Sequence, residues 1–268
     1  MTIKATKGGL RGQVAVITGG GRGIGREVAR QLAASGATVV VTARTVSQLE
    51  ETCSLITSAG GICTAVPVDV QDEAGINAAF REIEKSHGSI DLLVNNAGVS
   101  GVSGLPWEIE TADWWRTIEV NLRGPYLCSK AVIPGMIERK RGRIIMMASN
   151  LAFWPLPVAS AYSCSKAGLV RLADNLATGL AEHGIAVFAI SPGMVKTDMT
   201  RDIPDVLSHG VEWTPIERVA ELCVSLASGR ADALSGRYIH SSAHDLDDLI
   251  ARAENIVEKN LQTMRLVE

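Results

Sequence analysis

The sequence predicts a doubly wound α/β fold, in which one parallel β-sheet carries helices on both of its faces. Short apolar runs rich in β-branched residues alternate with longer amphipathic stretches from residue 14 to about residue 190. A strand that is followed by a crossover helix returns to the same end of the sheet, so this alternation requires parallel pairing. No Pro/Gly/Ser linker, charge run or repeat interrupts the pattern, which predicts a single domain over residues 1–268.

Each predicted strand is a short apolar run, and we expect all of them to be buried. The six runs cover residues 14–18, 38–42, 62–68, 91–94, 143–148 and 185–190. The predicted helices include residues 25–35, 46–59, 73–87 and 159–180. Because ligands of such folds bind at the carboxyl ends of the strands, candidate site residues should follow the strands directly.

Composition and charge exclude several classes of function. The chain has 268 residues, 46% of them hydrophobic, and a formal net charge of −3. Nucleic acid is not expected as a partner, because phosphate binding requires an excess of basic residues. The first 13 residues lack the apolar stretch of a signal peptide, and no segment is apolar enough to span a membrane. We therefore expect a cytoplasmic protein without a membrane partner, and we interpret its five cysteines as reduced, buried thiols.

The first predicted strand runs directly into a glycine-rich turn, Thr18-Gly-Gly-Gly-Arg-Gly-Ile-Gly25, which opens the first helix. Glycines let a backbone approach a phosphate closely, and the free N–H groups of a helix N-terminus stabilise negative charge. A strand before the turn and a helix after it therefore predict a Rossmann-like dinucleotide site. The candidate contacts in this turn are Gly19, Gly21, Arg22, Gly23, Ile24 and Gly25.

The end of the second strand indicates which nicotinamide cofactor is selected. Proteins that select NAD usually place an acidic residue there, which binds the ribose 2′-hydroxyl. Here Ala43 occupies that position and Arg44 follows it, with a guanidinium suited to a 2′-phosphate. Arg22 supplies a second cation. NADP(H) is favoured, and NAD(H) remains the alternative.

Tyr162 and Lys166 are four residues apart in the longest predicted helix and therefore share one face. A lysine ammonium beside a phenol is expected to lower the phenol pKa toward the working pH, as a general acid or base requires. A Y-x-x-x-K pattern is common by itself, so its meaning depends on the motifs around it.

Together these motifs resemble those of the short-chain dehydrogenase/reductase family, over about residues 10–240. The likeness is to its compact single-domain branch of 3-oxoacyl reductases and related carbonyl reductases. It implies a catalytic tetrad of Asn121, Ser149, Tyr162 and Lys166. The further cofactor contacts that it implies are Asp69, Val70, Asn96, Gly98, Tyr162, Lys166, Pro192, Gly193, Val195 and Thr197. The Asn95-Asn96 pair is also interpreted as a tie between neighbouring strands.

The implied reaction is hydride transfer between the nicotinamide and a ketone or secondary alcohol. Ser149 and Tyr162 would bind the carbonyl oxygen, and Tyr162 would exchange the proton. The resemblance further implies that Lys166 binds the nicotinamide ribose and that Asn121 holds a water of a proton relay. No metal is expected, and we interpret His240 and His244 as part of a solvated loop.

The substrate pocket is expected in three loops, residues 100–107, 150–157 and 194–213, which contain several aromatic residues and few charges. This favours an apolar carbonyl compound, either an aromatic or alicyclic ketone or a 3-oxoacyl thioester. The tryptophans are equally compatible with core or subunit contacts. The candidate substrate contacts are Ser149, Tyr162, Trp154 and Met194.

Other functions remain open alongside this one. An enoyl reductase is disfavoured because members of that type usually space tyrosine and lysine more widely. A non-catalytic dinucleotide-sensing or scaffold protein would keep the fold without turnover. The resemblance also implies a homo-oligomer, either a tetramer or a dimer.

The chain departs from the family near its C-terminus. Residues 234–244 keep a last strand but lack the usual apolar-Asp-Gly-Gly ending. Apolar residues at helical spacing then predict an amphipathic helix in a C-terminal extension over residues 244–268. We expect this helix to pack on its own subunit or on a neighbour, and a second hypothesis places it at the border of the substrate cleft.

Overall fold

Seven strands form one parallel sheet in the order β3-β2-β1-β4-β5-β6-β7, in a computed structural model that describes residues 9–201, 210 and 212–265. This confirms the predicted doubly wound sheet. Each of the six predicted strands ends within one residue of its predicted boundary. The strands are β1 (Val14–Thr18), β2 (Thr38–Ala43), β3 (Ile62–Pro67), β4 (Ile90–Asn95), β5 (Gly142–Met147), β6 (Ile185–Ser191) and β7 (Tyr238–His240).

Helices cover both faces of the sheet, and each face has its own apolar core. They are α1 (Gly23–Ala34), α2 (Val46–Ser58), α3 (Glu73–His87), α4 (Thr111–Ile118), α5 (Gly124–Arg139), α6 (Ser160–Leu180), α7 (Ile216–Ala227), α8 (Leu246–Ala251) and α9 (Ala253–Glu258). One core contains buried residues of α1, α2, α7, α8 and α9, and the other contains those of α3, α5 and α6. A π-helical turn, Glu119–Arg123, joins α4 to α5.

The direction of strand order reverses at β1, which pairs with β2 on one side and with β4 on the other. In such sheets a crevice opens outside the carboxyl ends of the two strands at the reversal. The glycine-rich turn follows β1 and the asparagine pair ends β4, so both motifs lie at this crevice.

The expectation that every predicted strand is buried is wrong for β3. This strand lies at the edge of the sheet and pairs only with β2 among the described strands. Both of its end residues, Ile62 and Pro67, are exposed. An apolar run indicates a high propensity for β-structure, but it does not distinguish a central strand from an edge strand.

The C-terminal extension contains two short helices where the periodicity predicted one. The backbone at Arg252 (φ −105°, ψ 14°) leaves the helical region and separates α8 from α9. Leu246, Leu249, Ala253 and Ile256 are buried and belong to the core of their own chain. Val257 and Leu261, which fit the same periodicity, are exposed, because Val257 lies on the outer face of α9 and Leu261 follows the end of that helix. Residues 266–268 of the extension lie outside the described part of the chain.

The interpretation of His240 and His244 as a solvated loop is wrong. His240 ends β7 and is buried, and its Nδ1 accepts hydrogen bonds from the backbone N–H groups of Ser242 (3.2 Å) and Ala243 (3.1 Å). The backbone N–H of His240 in turn donates to Nδ1 of His244 (3.0 Å). Burial lowers the pKa of both imidazoles, which favours the neutral, accepting form. The two imidazole rings therefore stabilise the turn after β7 by accepting hydrogen bonds from its backbone.

The cysteines are all free thiols, as expected, but they are not all buried. Cys128 and Cys223 are buried, and their burial raises the pKa of each thiol to about 12. Cys164 lies on α6 and is exposed, because the opposite face of this helix, which carries Lys166, packs toward the interior. Over the described ranges, no helix has the length and apolarity to cross a membrane, and no group of three or more His, Cys, Asp or Glu side chains could hold a metal ion.

Candidate active site

A cleft lies at the carboxyl ends of the strands and collects most of the predicted cofactor contacts. Gly25, Gly193 and Val195 do not line it. Val195 packs in the apolar core instead, and Gly193 adopts a positive φ of 73° in the turn after β6. The predicted contacts that do line the cleft are Gly19, Gly21, Arg22, Gly23, Ile24, Arg44, Asp69, Val70, Asn96, Gly98, Tyr162, Lys166, Pro192 and Thr197.

The glycine-rich turn requires glycine for two different reasons. Gly19 and Gly23 have φ values of 65° and 54°, in the left-handed region that residues with a Cβ rarely adopt. Gly25 is needed for packing, because a Cβ there would lie 2.3 Å from the Gly19 carbonyl oxygen and 2.5 Å from Nδ2 of Asn96. The N-cap residue of α1 is Arg22, which makes no side-chain capping bond. The first N–H groups of α1 thus face the cleft without a side-chain partner, which fits a bound pyrophosphate.

Arg26 and Thr52 hold this turn in place, and no sequence motif identified either residue. Nε and Nη2 of Arg26 donate to the Gly21 carbonyl oxygen at 3.1 and 2.6 Å, and the Thr52 hydroxyl donates to the same oxygen at 3.2 Å. Arg26 also pairs with Glu51 (2.7 Å), which lowers the pKa of that carboxyl group. An arginine in the first turn of a helix cannot be distinguished by sequence from a solvated cation.

Asn96 connects β4 to β1 at the point where the strand order reverses. Its Nδ2 donates to the carbonyl oxygens of Thr18 (3.0 Å) and Gly19 (3.2 Å), and its backbone N–H donates to the Thr18 hydroxyl (3.0 Å). Asn95 is directed inward instead, where its Nδ2 donates to the hydroxyl of Ser129 (3.2 Å). The pair therefore ties neighbouring elements together, and Asn96 also lines the cleft.

The two cations that the sequence assigned to a 2′-phosphate differ in their surroundings. Arg44 follows β2, has a side chain that is 60% exposed, and lies 3.9 Å from the Asp69 carboxylate. Arg22 donates to Asp198 at 2.9 Å, across the cleft from the glycine-rich turn. Arg44 thus has only a distant, solvated acidic neighbour, whereas Arg22 is engaged by a carboxylate.

Lys166 and Tyr162 lie on the inner face of α6, with the lysine Nζ 5.4 Å from the centre of the tyrosine ring. Lys166 is only 5% exposed, and its Nζ donates to the Met147 carbonyl oxygen at 2.7 Å. Burial lowers the lysine pKa to about 8. The expectation that Lys166 lowers the Tyr162 pKa is not met here. Burial raises the pKa of Tyr162, and the opposing influence is a hydrogen bond with the Ser149 side chain.

Ser149 follows β5 and has two roles in the geometry. Its side chain caps a 3₁₀ turn, Asn150–Ala152, by accepting a hydrogen bond from the Leu151 N–H (3.2 Å). The same side chain lies near enough to the Tyr162 phenol to lower its pKa against the effect of burial. The cap fixes the position of the hydroxyl beside the tyrosine.

Asn121 lies in the π-helical turn between α4 and α5, and its side chain is fully buried. Nδ2 donates to the Val99 carbonyl oxygen (2.9 Å) and the Ser165 hydroxyl (3.1 Å), and Oδ1 accepts from the Val99 N–H (2.8 Å). A Cβ on Gly98 would lie 3.2 Å from this Oδ1 and 3.8 Å from Nζ of Lys166, so Asn121 lies near the lysine. These bonds use both protons of Nδ2, whereas Oδ1 accepts one hydrogen bond and keeps a second acceptor position.

The predicted substrate residues are not gathered into one pocket. Trp154 is 69% exposed and does not line the cleft, and Trp107 is 78% exposed. Met194 is half-buried, and its carbonyl oxygen accepts a hydrogen bond from the Thr214 N–H at 2.7 Å. Residues 202–209 and 211 of the predicted 194–213 loop lie outside the described part of the chain. Aromatic composition alone did not distinguish pocket walls from exposed loop residues.

Comparison with known proteins identifies the family. A family model described as short chain dehydrogenase matches residues 13–207. A short chain dehydrogenase of Pseudocercospora fijiensis is 33% identical over 92% of this chain and 85% of its own length. The 3-oxoacyl-[acyl-carrier-protein] reductase of Aquifex aeolicus is 33% identical over 86% of this chain and 96% of its own. The protein belongs to the short-chain dehydrogenase family of oxidoreductases.

A solved structure with a similar fold is that of a gluconate 5-dehydrogenase from Burkholderia cenocepacia in complex with NADP and tartrate. Its TM-score is 0.82 at 29% identity, over 89% of this chain and 96% of that one. The relatives therefore include proteins named for quite different substrates, and their names do not select one for this chain.

Proposed function

We propose that the protein transfers a hydride between NADP(H) and a ketone or secondary alcohol. The observation that carries this proposal is that Tyr162 and Lys166 line the same cleft as Arg44, with Ser149 beside the Tyr162 phenol although it does not itself line the cleft. The glycine-rich turn and the uncapped N-terminus of α1 lie in this cleft and suit the pyrophosphate.

The nicotinamide, when bound, supplies or accepts the hydride, and the side chains of the chain handle the oxygen and its proton. The Ser149 and Tyr162 hydroxyls donate hydrogen bonds to the substrate carbonyl oxygen and stabilise the negative charge that develops there. In reduction, the raised pKa of Tyr162 keeps its phenol protonated and ready to donate to this oxygen. In oxidation, the same phenol must first lose its proton, which its hydrogen bond with the Ser149 side chain favours.

NADP(H) rather than NAD(H) is supported by the absence of an acid at Ala43 and by the exposed guanidinium of Arg44 at the cleft. The NADP in the gluconate 5-dehydrogenase structure adds support from a relative. An apolar substrate, either an aromatic or alicyclic ketone or a 3-oxoacyl thioester, is supported by the apolar loop composition and by the name of the Aquifex relative.

The test is a titration of the purified protein with NADPH and with NADH, followed by nicotinamide fluorescence. A panel of ketones and 3-oxoacyl thioesters is then assayed at the nicotinamide absorbance. We expect tighter binding of NADPH and its oxidation by at least one member of the panel. Binding without any turnover would favour the non-catalytic sensor, and lack of binding to either nucleotide would refute the proposal.

We expect alkaline pH to reduce the rate of carbonyl reduction. Lys166, with its pKa lowered to about 8, is cationic below that pH and neutral above it. Because we propose that the Lys166 ammonium donates a hydrogen bond to the nicotinamide ribose, kcat/KM should be constant at neutral pH and fall about tenfold per pH unit above about pH 8. The measurement is kcat/KM between about pH 6 and pH 10. A value that stays constant to pH 10 would contradict this role of Lys166.

A further inference from the structure

Tyr238 connects the last strand to the segment that follows Ser149. Its hydroxyl donates a hydrogen bond to Oδ1 of Asn150 at 2.5 Å. Its ring packs edge to face against Phe153, with the ring centres 4.8 Å apart. Tyr238 itself is only 7% exposed, in the core between the sheet and α6, so its position is well fixed.

The segment that Tyr238 contacts packs against α6 but makes no other long-range hydrogen bond among the described residues. Asn150, Phe153 and Trp154 are all exposed. The remaining hydrogen bonds of residues 150–154, within the described part of the chain, are local ones that lead back to Ser149 or Asn150. The Tyr238 hydroxyl therefore adds a directional restraint at Asn150 to the packing of this turn against α6.

The C-terminal extension holds Tyr238 from the other side. The backbone N–H of Tyr238 donates to the Gln262 carbonyl oxygen at 2.7 Å. Two residues further on, the Met264 carbonyl oxygen accepts a hydrogen bond from Nη2 of Arg171 in α6, also at 2.7 Å. The extension thus runs back past the outer edge of β7 and is tied to α6, the helix that carries Tyr162.

We propose that Tyr238 is a positioning residue that holds the Ser149 hydroxyl in place through Asn150 and Phe153. Through it, the C-terminal extension supports the active site without bordering the cleft. Ser149 caps the turn that begins at Asn150, so displacement of this turn displaces the capping hydroxyl. The kinetic consequence rests on the proposed function, whereas the restraint on the turn does not.

The direct test is hydrogen exchange in Tyr238→Phe, which removes the hydroxyl and keeps the ring. We expect the amides of residues 150–154 to exchange faster than in the original protein, while β1 and the glycine-rich turn are unchanged. Tyr126→Phe is the matched control, because Tyr126 is exposed on α5. Equal exchange of residues 150–154 in Tyr238→Phe and Tyr126→Phe would overturn the proposal, whatever the enzyme's activity.

The kinetic test separates positioning from general damage. In Tyr238→Phe we expect kcat for carbonyl reduction to fall about tenfold, with the Kd of NADPH unchanged within about twofold. Asn150→Ala should have a similar effect, and the double variant should be no slower than the slower single one, because both changes break the same hydrogen bond. Losses that multiply in the double variant would contradict the proposal. If the wild-type protein showed no turnover, the proposed function would be refuted. The hydrogen-exchange experiment would then still decide whether Tyr238 restrains residues 150–154.

Discussion

Replacing Tyr162 by phenylalanine should reduce kcat by about 10²–10⁴-fold and leave the affinity for NADPH nearly unchanged. The Tyr162 phenol lines the cleft beside Ser149, and it is the group that we propose to exchange the proton with a substrate oxygen. Phenylalanine fills the same volume on α6, so the fold and the nucleotide cleft should remain. Single-turnover and steady-state rates, together with the fluorescence titration, measure the two effects separately.

Tyr126→Phe again serves as the control, since it makes the same chemical change on the exposed face of α5. A Tyr162→Phe protein that retained more than about a tenth of the activity would show that another group moves the proton. A large loss of NADPH affinity in the same variant would instead assign Tyr162 mainly to nucleotide binding.

Changing Arg44 to aspartate should reverse the cofactor preference. The variant loses a guanidinium beside the 2′-phosphate and gains a carboxylate that repels the phosphate but accepts a hydrogen bond from a ribose 2′-hydroxyl. A charge-assisted hydrogen bond contributes about 1.5–3 kcal/mol, so the Kd of NADPH should rise by roughly tenfold to a hundredfold. The Kd of NADH should fall at the same time.

Because Asp69 lies beside Arg44, the Kd of NADH is the decisive measurement. Its carboxylate lies 3.9 Å from Arg44, so an added aspartate creates repulsion that weakens phosphate binding on its own. Tighter binding of NADH, by contrast, would show that residue 44 contacts the 2′ group of the adenosine ribose. Arg81→Asp, which makes the same charge change on the exposed surface of α3, is the control. An unchanged ratio of the two affinities in Arg44→Asp would refute the assignment to NADP(H).

Local patterns predicted the parts of the molecule that depend on neighbours in sequence. The alternation of strands and helices, the glycine-rich turn after β1 and the Tyr162–Lys166 spacing all required only a few adjacent residues. Arg26, Thr52 and Tyr238 were missed because their roles depend on partners that the fold brings from elsewhere in the chain. Each of these side chains is unremarkable in its own segment.

The errors have a common physical origin in burial, which spacing does not encode. His240 was expected to be solvated but lies at the end of a buried strand. The same limitation applies to Tyr162, whose pKa depends on the balance between desolvation and a neighbouring charge. The sequence indicated the neighbouring charge of Lys166, but the desolvation of the Tyr162 phenol became visible only in the structure.

Because β1 lies between β2 and β4, the end of the cleft that carries Arg44 and the end that carries Tyr162 come from different parts of the chain. The two ends are therefore synthesised at different times. The pairings of β1 with β2 and of β2 with β3 involve only residues 14–67, so the glycine-rich turn and Arg44 are synthesised before the residues of the catalytic end. Ser149, Tyr162 and Lys166 follow much later, and β7 with its C-terminal restraint comes last. Because contacts between distant segments form slowly, we expect nucleotide to accelerate late docking of these two ends during refolding.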